Sequence, residues 1–160
     1  MKKILVPIDS SESSKLAIAK AKELAKQFKS KLVLLHVVDT TSFSVMLGGY
    51  TDTQTTVGGM PYVTPMTIVQ DEHMKVNVKE MAEKVMDSAR AACMSLGDKV
   101  SEVKLEGHPA DRIVEFVDSD KEIDLVVMGS YGMSGFRRFF LGSVTHKVAL
   151  SIDRPILIVR

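Results

Sequence analysis

The stretch that decides the fold is Asp124-Leu-Val-Val-Met-Gly129-Ser-Tyr-Gly132-Met-Ser-Gly135-Phe-Arg-Arg-Phe-Phe-Leu-Gly142-Ser143-Val-Thr145. Its first part is a continuous apolar run, which is typical of a strand buried on both faces of a parallel sheet. Three glycines follow, and helical periodicity returns after Gly142. A strand, a glycine-rich loop and a helix N-terminus in this order form an anion site, because first-turn amides lack intrahelical acceptors and the helix dipole attracts negative charge. The stretch therefore predicts a phosphate-binding loop.

The glycine spacing differs from that of the two commonest phosphate loops. The chain contains no Gly-x-x-x-x-Gly-Lys-Ser/Thr and no Gly-x-Gly-x-x-Gly, which argues against a P-loop and against a Rossmann dinucleotide site. It contains instead Gly129-x2-Gly132-x9-Gly142-Ser143. This spacing resembles the ATP-binding signature of the universal stress protein family at every fixed position. Outside residues 40–70 the resemblance covers most of the chain, including Lys3-Ile-Leu-Val-Pro7-Ile-Asp9, Leu34-Leu-His36-Val37-Val38 and Arg154-Pro155-Ile-Leu-Ile-Val159.

The resemblance implies that the chain binds ATP, with Mg²⁺ or Mn²⁺ held by the phosphates. Pro7 and Val37 match positions that line the ribose and adenine pocket in the family. Asp9 matches an aspartate that helps to bind the nucleotide. Met128 would contribute its backbone, and Gly129 would lie beside the ribose and phosphates.

The phosphate side of the implied site lies further along the same stretch. Gly132 matches the second signature glycine. The third glycine and the helix start would hold the outer phosphates through amides and hydroxyls, and they comprise Gly142, Ser143, Val144 and Thr145.

Several of these residues also fit a purely structural role. Asp9-Ser-Ser-Glu12 has the spacing of a capping box, so Asp9 either caps the first helix or contacts the nucleotide. Ser143 has the same alternative as an N-cap. Arg137 and Arg138 either neutralise phosphate charge or lie on a solvated loop. His36 lies inside a buried strand and is more typical of a core histidine with a satisfied hydrogen bond.

Strands alternate with helices along the chain, which predicts an α/β fold of parallel βαβ units with right-handed crossovers. The family resemblance implies a single open five-stranded parallel sheet of order 3-2-1-4-5 with helices on both faces. In such sheets ligands bind outside the strand C-termini, where the strand order reverses. Two helices are expected to bury apolar stripes, namely Ala17, Ala21, Leu24, Ala25 and Phe28 in the first, and Val78, Met81, Val85, Ala89 and Ala92 in one running from Asp71 to Leu96.

Length and composition predict one domain spanning residues 1–160 in the cytoplasm. The formal net charge of +1 gives no sign of a nucleic-acid surface. No apolar run reaches the length of a membrane span, and no signal-peptide pattern opens the chain. The single cysteine, Cys93, excludes an internal disulfide and suits a reducing compartment. Residues 40–70 lack periodicity and read as a flexible insertion, either a mobile linker or a lid.

Two functions fit this set of features. The first is an ATP-binding stress-response protein that acts as a sensor or switch, because the chain has a nucleotide cradle and no motif-defined catalytic residue. The second is a slow ATPase or nucleotidyl-transfer enzyme that a partner activates. No protein metal site is expected. The family commonly dimerises through the last strand, so the resemblance implies a homodimer through Ile156–Val159.

Overall fold

A computed structural model describes residues 1–39, 56–57, 60–61, 72–131 and 141–160, except for the side chains of residues 56–57, 60–61 and 72–78. Strands and helices alternate through these ranges, as the sequence predicts. No helix in the described ranges is long and apolar enough to cross a membrane. In chain order the elements are β1 (Lys3–Ile8), α1 (Glu12–Phe28), β2 (Lys31–Val38), β3 (Thr56–Val57), β4 (Met60–Pro61), α2 (Glu72–Cys93), a 3-10 segment (Met94–Lys99), β5 (Val100–Glu106), α3 (Pro109–Ser119), β6 (Ile123–Gly129), α4 (Ser143–Ser151) and β7 (Ile156–Val159).

Five of the strands form one parallel sheet in the order β5-β2-β1-β6-β7. Numbered along the chain within this sheet, the order is 3-2-1-4-5, so the predicted fold class and strand order are confirmed. Strands β3 and β4 form a separate antiparallel ladder inside the segment that we expected to be an insertion.

Helices cover both faces of the sheet because side chains of each strand alternate between two cores. Ile4, Val6 and Ile8 of β1 pack into a first core with α1 and α2, whereas Leu5 packs into a second core with α3 and α4. Helix α1 lies close to the sheet because small side chains form its inner face, and Ala17 is fully buried there. This close packing brings the N-terminus of α1 to the carboxyl end of the sheet.

The predicted inner stripe of the long helix is correct in part. Ala89 is buried and Val85 packs partly against the first core, as expected. Met81 is 59% exposed and Ala92 is exposed, so these two were wrong. The side chain of Val78 lies outside the described ones. The buried stripe consists of Ala82, Met86, Ala89 and Cys93. Both stripes follow the i, i+3, i+4 spacing, and one residue rotates the buried face by about 100°. The alanine-rich sequence does not distinguish between them.

The long helix ends earlier than expected, and the last residue of the first helix is not buried. Helix α2 stops at Cys93 rather than Leu96, and a 3-10 segment containing left-handed Gly97 leads into β5. Phe28 was expected to point inward but is 51% exposed. It is the last residue of α1, where the chain turns through Lys29 in the left-handed region (φ 54°) toward β2.

An ion pair joins the start of β1 to the turn before β6. The ammonium of Lys3 donates to Asp120 at 2.6 Å and lies 3.1 Å from Glu122. The hydrogen bond from Lys3 lowers the pKa of Asp120 below its usual value, and the same bond raises the pKa of Lys3. A carboxyl whose pKa is lower in the folded state stabilises the fold above its unfolded pKa. That contribution is lost as the pH falls through the folded pKa.

We therefore expect Asp120→Asn to lower the free energy of unfolding at pH 7 by about 1.5–3 kcal/mol, the usual range for a hydrogen bond to a charged group. The difference from the native protein should shrink as the pH falls below 3.8, the ordinary pKa of an aspartate, and should be lost as the pH falls through the lowered pKa of Asp120 in the folded protein. Urea unfolding of both proteins across this range measures the effect. A difference that stays constant from pH 7 to pH 2 would show that the carboxylate charge is irrelevant.

Candidate functional site

The site lies where β1 and β6 separate at the carboxyl edge of the sheet. Their ladder runs from Lys3 opposite Ile123 to Leu5 opposite Val126, with a register shift after the first pair. Beyond Leu5 the described parts of the two strands are not paired with each other. Strand order also reverses here, because β1 continues toward β2 on one side and β6 toward β7 on the other. This is the point at which open α/β sheets bind ligands.

Asp9 follows β1 directly and lies beside the start of α1. Its Oδ1 accepts hydrogen bonds from the amide of Ser11 at 2.9 Å and from the hydroxyl of Ser11 at 2.5 Å. The N-cap of α1 is Ser11, whose hydroxyl accepts from the amide of Ser14. The capping role considered for Asp9 therefore belongs to Ser11, and Asp9 orients that cap. No donor among the described residues reaches Oδ2 of Asp9.

Gly129 ends β6 in direct contact with α1. A Cβ atom added at Gly129 would lie 2.7 Å from the carbonyl carbon of Ser13 and 2.9 Å from its Cβ. Real Cβ atoms do not approach other atoms so closely, so glycine is required here for the packing of helix against strand. The first signature glycine thus has a structural role that is independent of any ligand.

The hydroxyls at the start of α1 hold the chain as it leaves β6. Ser13 is fully buried, and its Oγ donates a hydrogen bond to the carbonyl of Tyr131. The Oγ of Ser11 lies 3.4 Å from the same carbonyl. The carbonyl of Tyr131 therefore points toward the N-terminus of α1.

The N-terminus of α4 supplies the amides that the sequence predicts for phosphate binding. Helix α4 begins at Ser143, with Gly142 as an N-cap that has no side-chain cap. The amide of Gly142 donates to the carbonyl of Ser130 at 2.8 Å. Within the described ranges no carbonyl accepts from the amides of Ser143, Val144 or Thr145. Of the four amides predicted to bind phosphate, that of Gly142 is therefore bound within the protein, and the other three have no acceptor among the described residues.

Thr145 is also bound into the structure through its side chain. It is buried, and its hydroxyl donates to the carbonyl of Gly129 at 2.9 Å. Thr145 can therefore bind a phosphate only through its backbone amide. Ser143 is exposed and can bind through both its hydroxyl and its amide. The hydrogen bond from Thr145 also ties α4 to the end of β6.

Ser130 connects the loop to the sheet edge. Its amide donates to the carbonyl of Val159 in β7, and its carbonyl accepts from Gly142, both at 2.8 Å. The two ends of the glycine-rich loop are therefore joined to each other and to β7. Backbone groups make these bonds, which is why residue types along the sequence give no signal for them.

The remaining predicted site residues fall into three groups. Pro7 and Val37 lie near the carboxyl ends of β1 and β2, and Val37 packs partly against the second core. Met128 is buried in that same core, so only its backbone is available to a ligand. Gly132 lies outside the described residues, as do Arg137, Arg138 and nearly all of the predicted 40–70 insertion.

Sequence reasoning missed the serines at the start of α1. Ser11, Ser13 and Ser14 are all buried, although serine is usually exposed. The available signal was the run of serines after Asp9, which we interpreted only as a helix start.

The side chain of His36 has the hydrogen bond that we expected, although it is only partly buried rather than part of a core. Its Nδ1 lies 2.9 Å from the carbonyl of Ile8, and because a carbonyl only accepts, Nδ1 carries the proton. Among the described residues no group of three histidine, cysteine or acidic side chains is placed to hold a metal ion. Cys93 is a buried free thiol in the first core, and burial raises its pKa.

Comparison with known proteins assigns this chain to a family. The family model with the description Universal stress protein family matches residues 1–160. The chain belongs to this family. The universal stress protein YxiE of Bacillus subtilis is 33% identical over 162 residues, covering 99% of this chain and 98% of the relative. The universal stress protein MJ0577 of Methanocaldococcus jannaschii is 28% identical over 165 residues, covering 99% of this chain and 94% of the relative.

Solved structures of universal stress proteins share the fold. The structure of UspA from Lactobacillus plantarum has a TM-score of 0.77 at 23% identity and covers 99% of this chain and 97% of its own. The structure of MJ0577 has a TM-score of 0.74 at 25% identity, covering 99% and 94%.

Two similar structures hold adenine nucleotides. One, from Archaeoglobus fulgidus, is in complex with dAMP and has a TM-score of 0.64 at 19% identity, covering 100% of this chain and 98% of its own. The other is in complex with cAMP and has a TM-score of 0.63 at 21% identity, covering 99% of this chain and 96% of its own. Because both sequence identities are low, these two structures show only that this universal stress protein has the same fold.

Proposed function

We propose that this universal stress protein binds ATP where β1 and β6 separate and acts as a nucleotide-dependent sensor or switch in the stress response. The observation that carries the proposal is the N-terminus of α4. Amides of Ser143, Val144 and Thr145 have no acceptor among the described residues and lie next to the end of β6. A helix N-terminus with free amides is favourable for phosphate through both hydrogen bonding and the helix dipole.

The proposed site divides between the nucleoside and the phosphates. Pro7, Val37 and Asp9 would take the adenine and ribose at the ends of β1 and β2. Met128 and Gly129 would contribute backbone next to the ribose, and Gly132 would continue the cradle. Phosphates would bind the start of α4 at Gly142 to Thr145. The amide of Gly142 already donates to the carbonyl of Ser130, so Gly142 would only let a phosphate approach the backbone closely. The adenine nucleotides bound by two structural relatives support the ligand class.

A metal ion that arrives with ATP has one candidate protein ligand at this opening. Oδ2 of Asp9 has no donor among the described residues, and carboxylate oxygens are the ligands that Mg²⁺ and Mn²⁺ prefer. The ion would neutralise phosphate charge there. We assign it no other protein ligand.

A switch fits the described site better than an enzyme. Phosphoryl transfer needs a metal-holding carboxylate, a group that positions water and cations that stabilise charge. Of the described residues we assign only Asp9 to such a role. We also propose that residues 1–160 form one domain in the cytoplasm, with residues 40–70 as an insertion. The free Cys93 suits that compartment.

Mass spectrometry of small molecules released from gently purified protein tests the proposed ligand. We expect an adenine nucleotide in near-stoichiometric amount, mainly as the triphosphate. Protein that carries no nucleotide and binds none on addition would contradict the proposal. Isolation of ADP alone, followed by steady turnover of added ATP that Asp9→Ala abolishes, would support the alternative of a slow ATPase.

We further propose a homodimer formed through β7. In the described part of the sheet β7 pairs only with β6, so its outer edge is available to a second copy. An apolar edge strand pairs readily, and a two-fold axis makes the contact self-complementary. Leu157 and Val159 also pack partly against the first core.

We expect Ile158→Lys to convert the dimer into a monomer, because two like charges meet across the two-fold axis. Light scattering coupled to gel filtration measures the mass. Ser101→Lys is the matched control, since it adds the same charge to exposed β5 at the opposite edge of the sheet. A folded Ile158→Lys protein with unchanged dimer mass would refute this interface.

A further inference from the structure

The hydroxyl of Ser13 has no function in capping α1. Ser11 is the N-cap and accepts from the amide of Ser14. Ser13 is nevertheless fully buried, and its Oγ donates to the carbonyl of Tyr131, a residue 118 positions away in the chain. A buried hydroxyl loses its water and is kept only where it is hydrogen-bonded. The bond that satisfies Ser13 is therefore a bond to the first residues of the glycine-rich loop.

The packing at Gly129 brings this hydroxyl within reach of the loop. Because Gly129 has no Cβ, the backbone of Ser13 lies against the end of β6. The chain then passes Ser130, whose amide and carbonyl are both bound, to Val159 and to Gly142. Tyr131 is the next residue, and its carbonyl is fixed by a side chain rather than by the sheet. Since the peptide unit is planar, fixing this carbonyl fixes the plane of the peptide bond that leads out of Tyr131.

The neighbouring hydroxyl of Ser11 cannot take over this bond without cost. A serine hydroxyl has one proton, and that of Ser11 goes to Oδ1 of Asp9 at 2.5 Å. The carbonyl of Tyr131 is 3.4 Å away from the same oxygen. If Ser11 turned toward Tyr131, it would release the carboxylate that we assign to the nucleotide. The carbonyl of Tyr131 and the carboxylate of Asp9 would therefore compete for the hydroxyl proton of Ser11. Because Ser13 donates to Tyr131, Ser11 can stay bound to Asp9.

We propose that Ser13 is a positioning residue for phosphate binding. Its hydroxyl fixes the carbonyl of Tyr131, the neighbour of Ser130, whose own carbonyl binds the amide of Gly142 at the start of α4. The hydroxyl of Ser11 stays bound to Asp9. This inference rests on the proposed ATP site. It predicts a greater dependence on Ser13 for ligands with phosphates, because the start of α4 would serve the phosphates and the ends of β1 and β2 the nucleoside.

The test compares Ser13→Ala with Ser30→Ala. Ser30 is equally buried, and its hydroxyl also donates to a backbone carbonyl, that of Met1, just before β2 at the opposite end of the sheet. Both variants lose one buried hydroxyl, so their melting temperatures should fall by similar amounts. Calorimetric titration with ATP and with adenosine gives the functional readout. We expect Ser13→Ala to weaken ATP about 5–10-fold, as for one lost hydrogen bond, and to weaken adenosine by a smaller factor, because Ser11 can then leave Asp9 for Tyr131. Ser30→Ala should leave both affinities unchanged.

A readout without ligand separates this inference from the proposed function. The ¹³C resonance of the Tyr131 carbonyl should shift in Ser13→Ala and stay in place in Ser30→Ala. An unshifted resonance would overturn the positioning role, whatever the protein binds. The positioning role would also be overturned if the native protein binds ATP and Ser13→Ala binds ATP equally well. The same holds if Ser13→Ala loses affinity for ATP and for adenosine by the same factor. Native protein that binds neither ligand would contradict the proposed function and this inference with it.

Discussion

Gly129→Ala should lower the free energy of unfolding by about 2–4 kcal/mol and abolish ATP binding. The new Cβ would lie 2.7 Å from the carbonyl carbon of Ser13, which is backbone and cannot rotate away. Helix α1 would have to move off β6, since a well-packed interior does not absorb an extra methyl group. That movement would break the hydrogen bond from Ser13 to Tyr131 and shift Asp9 away from the opening. Urea unfolding and calorimetric titration measure the two effects.

Gly97→Ala is the informative control for this prediction. Gly97 has a left-handed φ of 56° and nothing within 4 Å of an added Cβ, so alanine there is strained but meets no neighbour. Its ψ of −133° makes this a conformation that residues other than glycine rarely adopt, so Gly97→Ala should cost about 1–3 kcal/mol and leave ATP binding intact. If Gly129→Ala lost less stability than Gly97→Ala and kept its ATP binding, the close contact between α1 and β6 would be absent from the protein in solution.

Ser143→Glu should act in opposite directions on stability and on binding. Ser143 is exposed in the first turn of α4, where a carboxylate interacts favourably with the helix dipole. We expect the free energy of unfolding to rise by about 0.3–1 kcal/mol. We expect ATP affinity to fall at least about 100-fold, because a negative charge some 4 Å from a phosphate costs several kcal/mol near a protein surface.

Ser143→Gln separates charge from size in this experiment. The glutamine side chain has the shape of glutamate without its charge, so it should weaken ATP far less and add little stability. Thermal unfolding and titration of both variants measure the outcomes. If Ser143→Glu were more stable than the native protein yet bound ATP normally, the phosphates would not lie at the start of α4.

The sequence predicted the fold well because its signals were redundant. Apolar runs such as Leu125–Met128 stand between helical patterns, and Pro109, a residue typical of a first helical turn, begins α3. The strand order came from the family resemblance and is confirmed. Met81 and Ala92 were wrongly placed on the inner stripe of α2 because alanines and methionines permit two adjacent stripes. Only tertiary packing, which buries Met86 rather than Met81, decides between them.

The site could be predicted only in part, because several of its contacts are made by backbone groups. The glycine spacing indicated Gly129 and Gly142, but gave no sign that Gly129 is required by Ser13 or that the amide of Gly142 binds Ser130. Capping was one of two roles considered for Asp9, and it belongs to Ser11. Serine is suited to both caps and turns, so its spacing alone does not reveal which hydroxyl reaches a distant carbonyl.

Calorimetric titration of nucleotide-free protein with ATP and with adenosine tests the proposed site most directly. We expect one ATP bound per chain with a dissociation constant below about 1 mM, and weaker binding of adenosine, which lacks the phosphates that α4 would hold. A folded protein that shows no saturable heat of binding at ATP concentrations well above about 1 mM would contradict the proposed site. Equal affinity for ATP and adenosine would also contradict it.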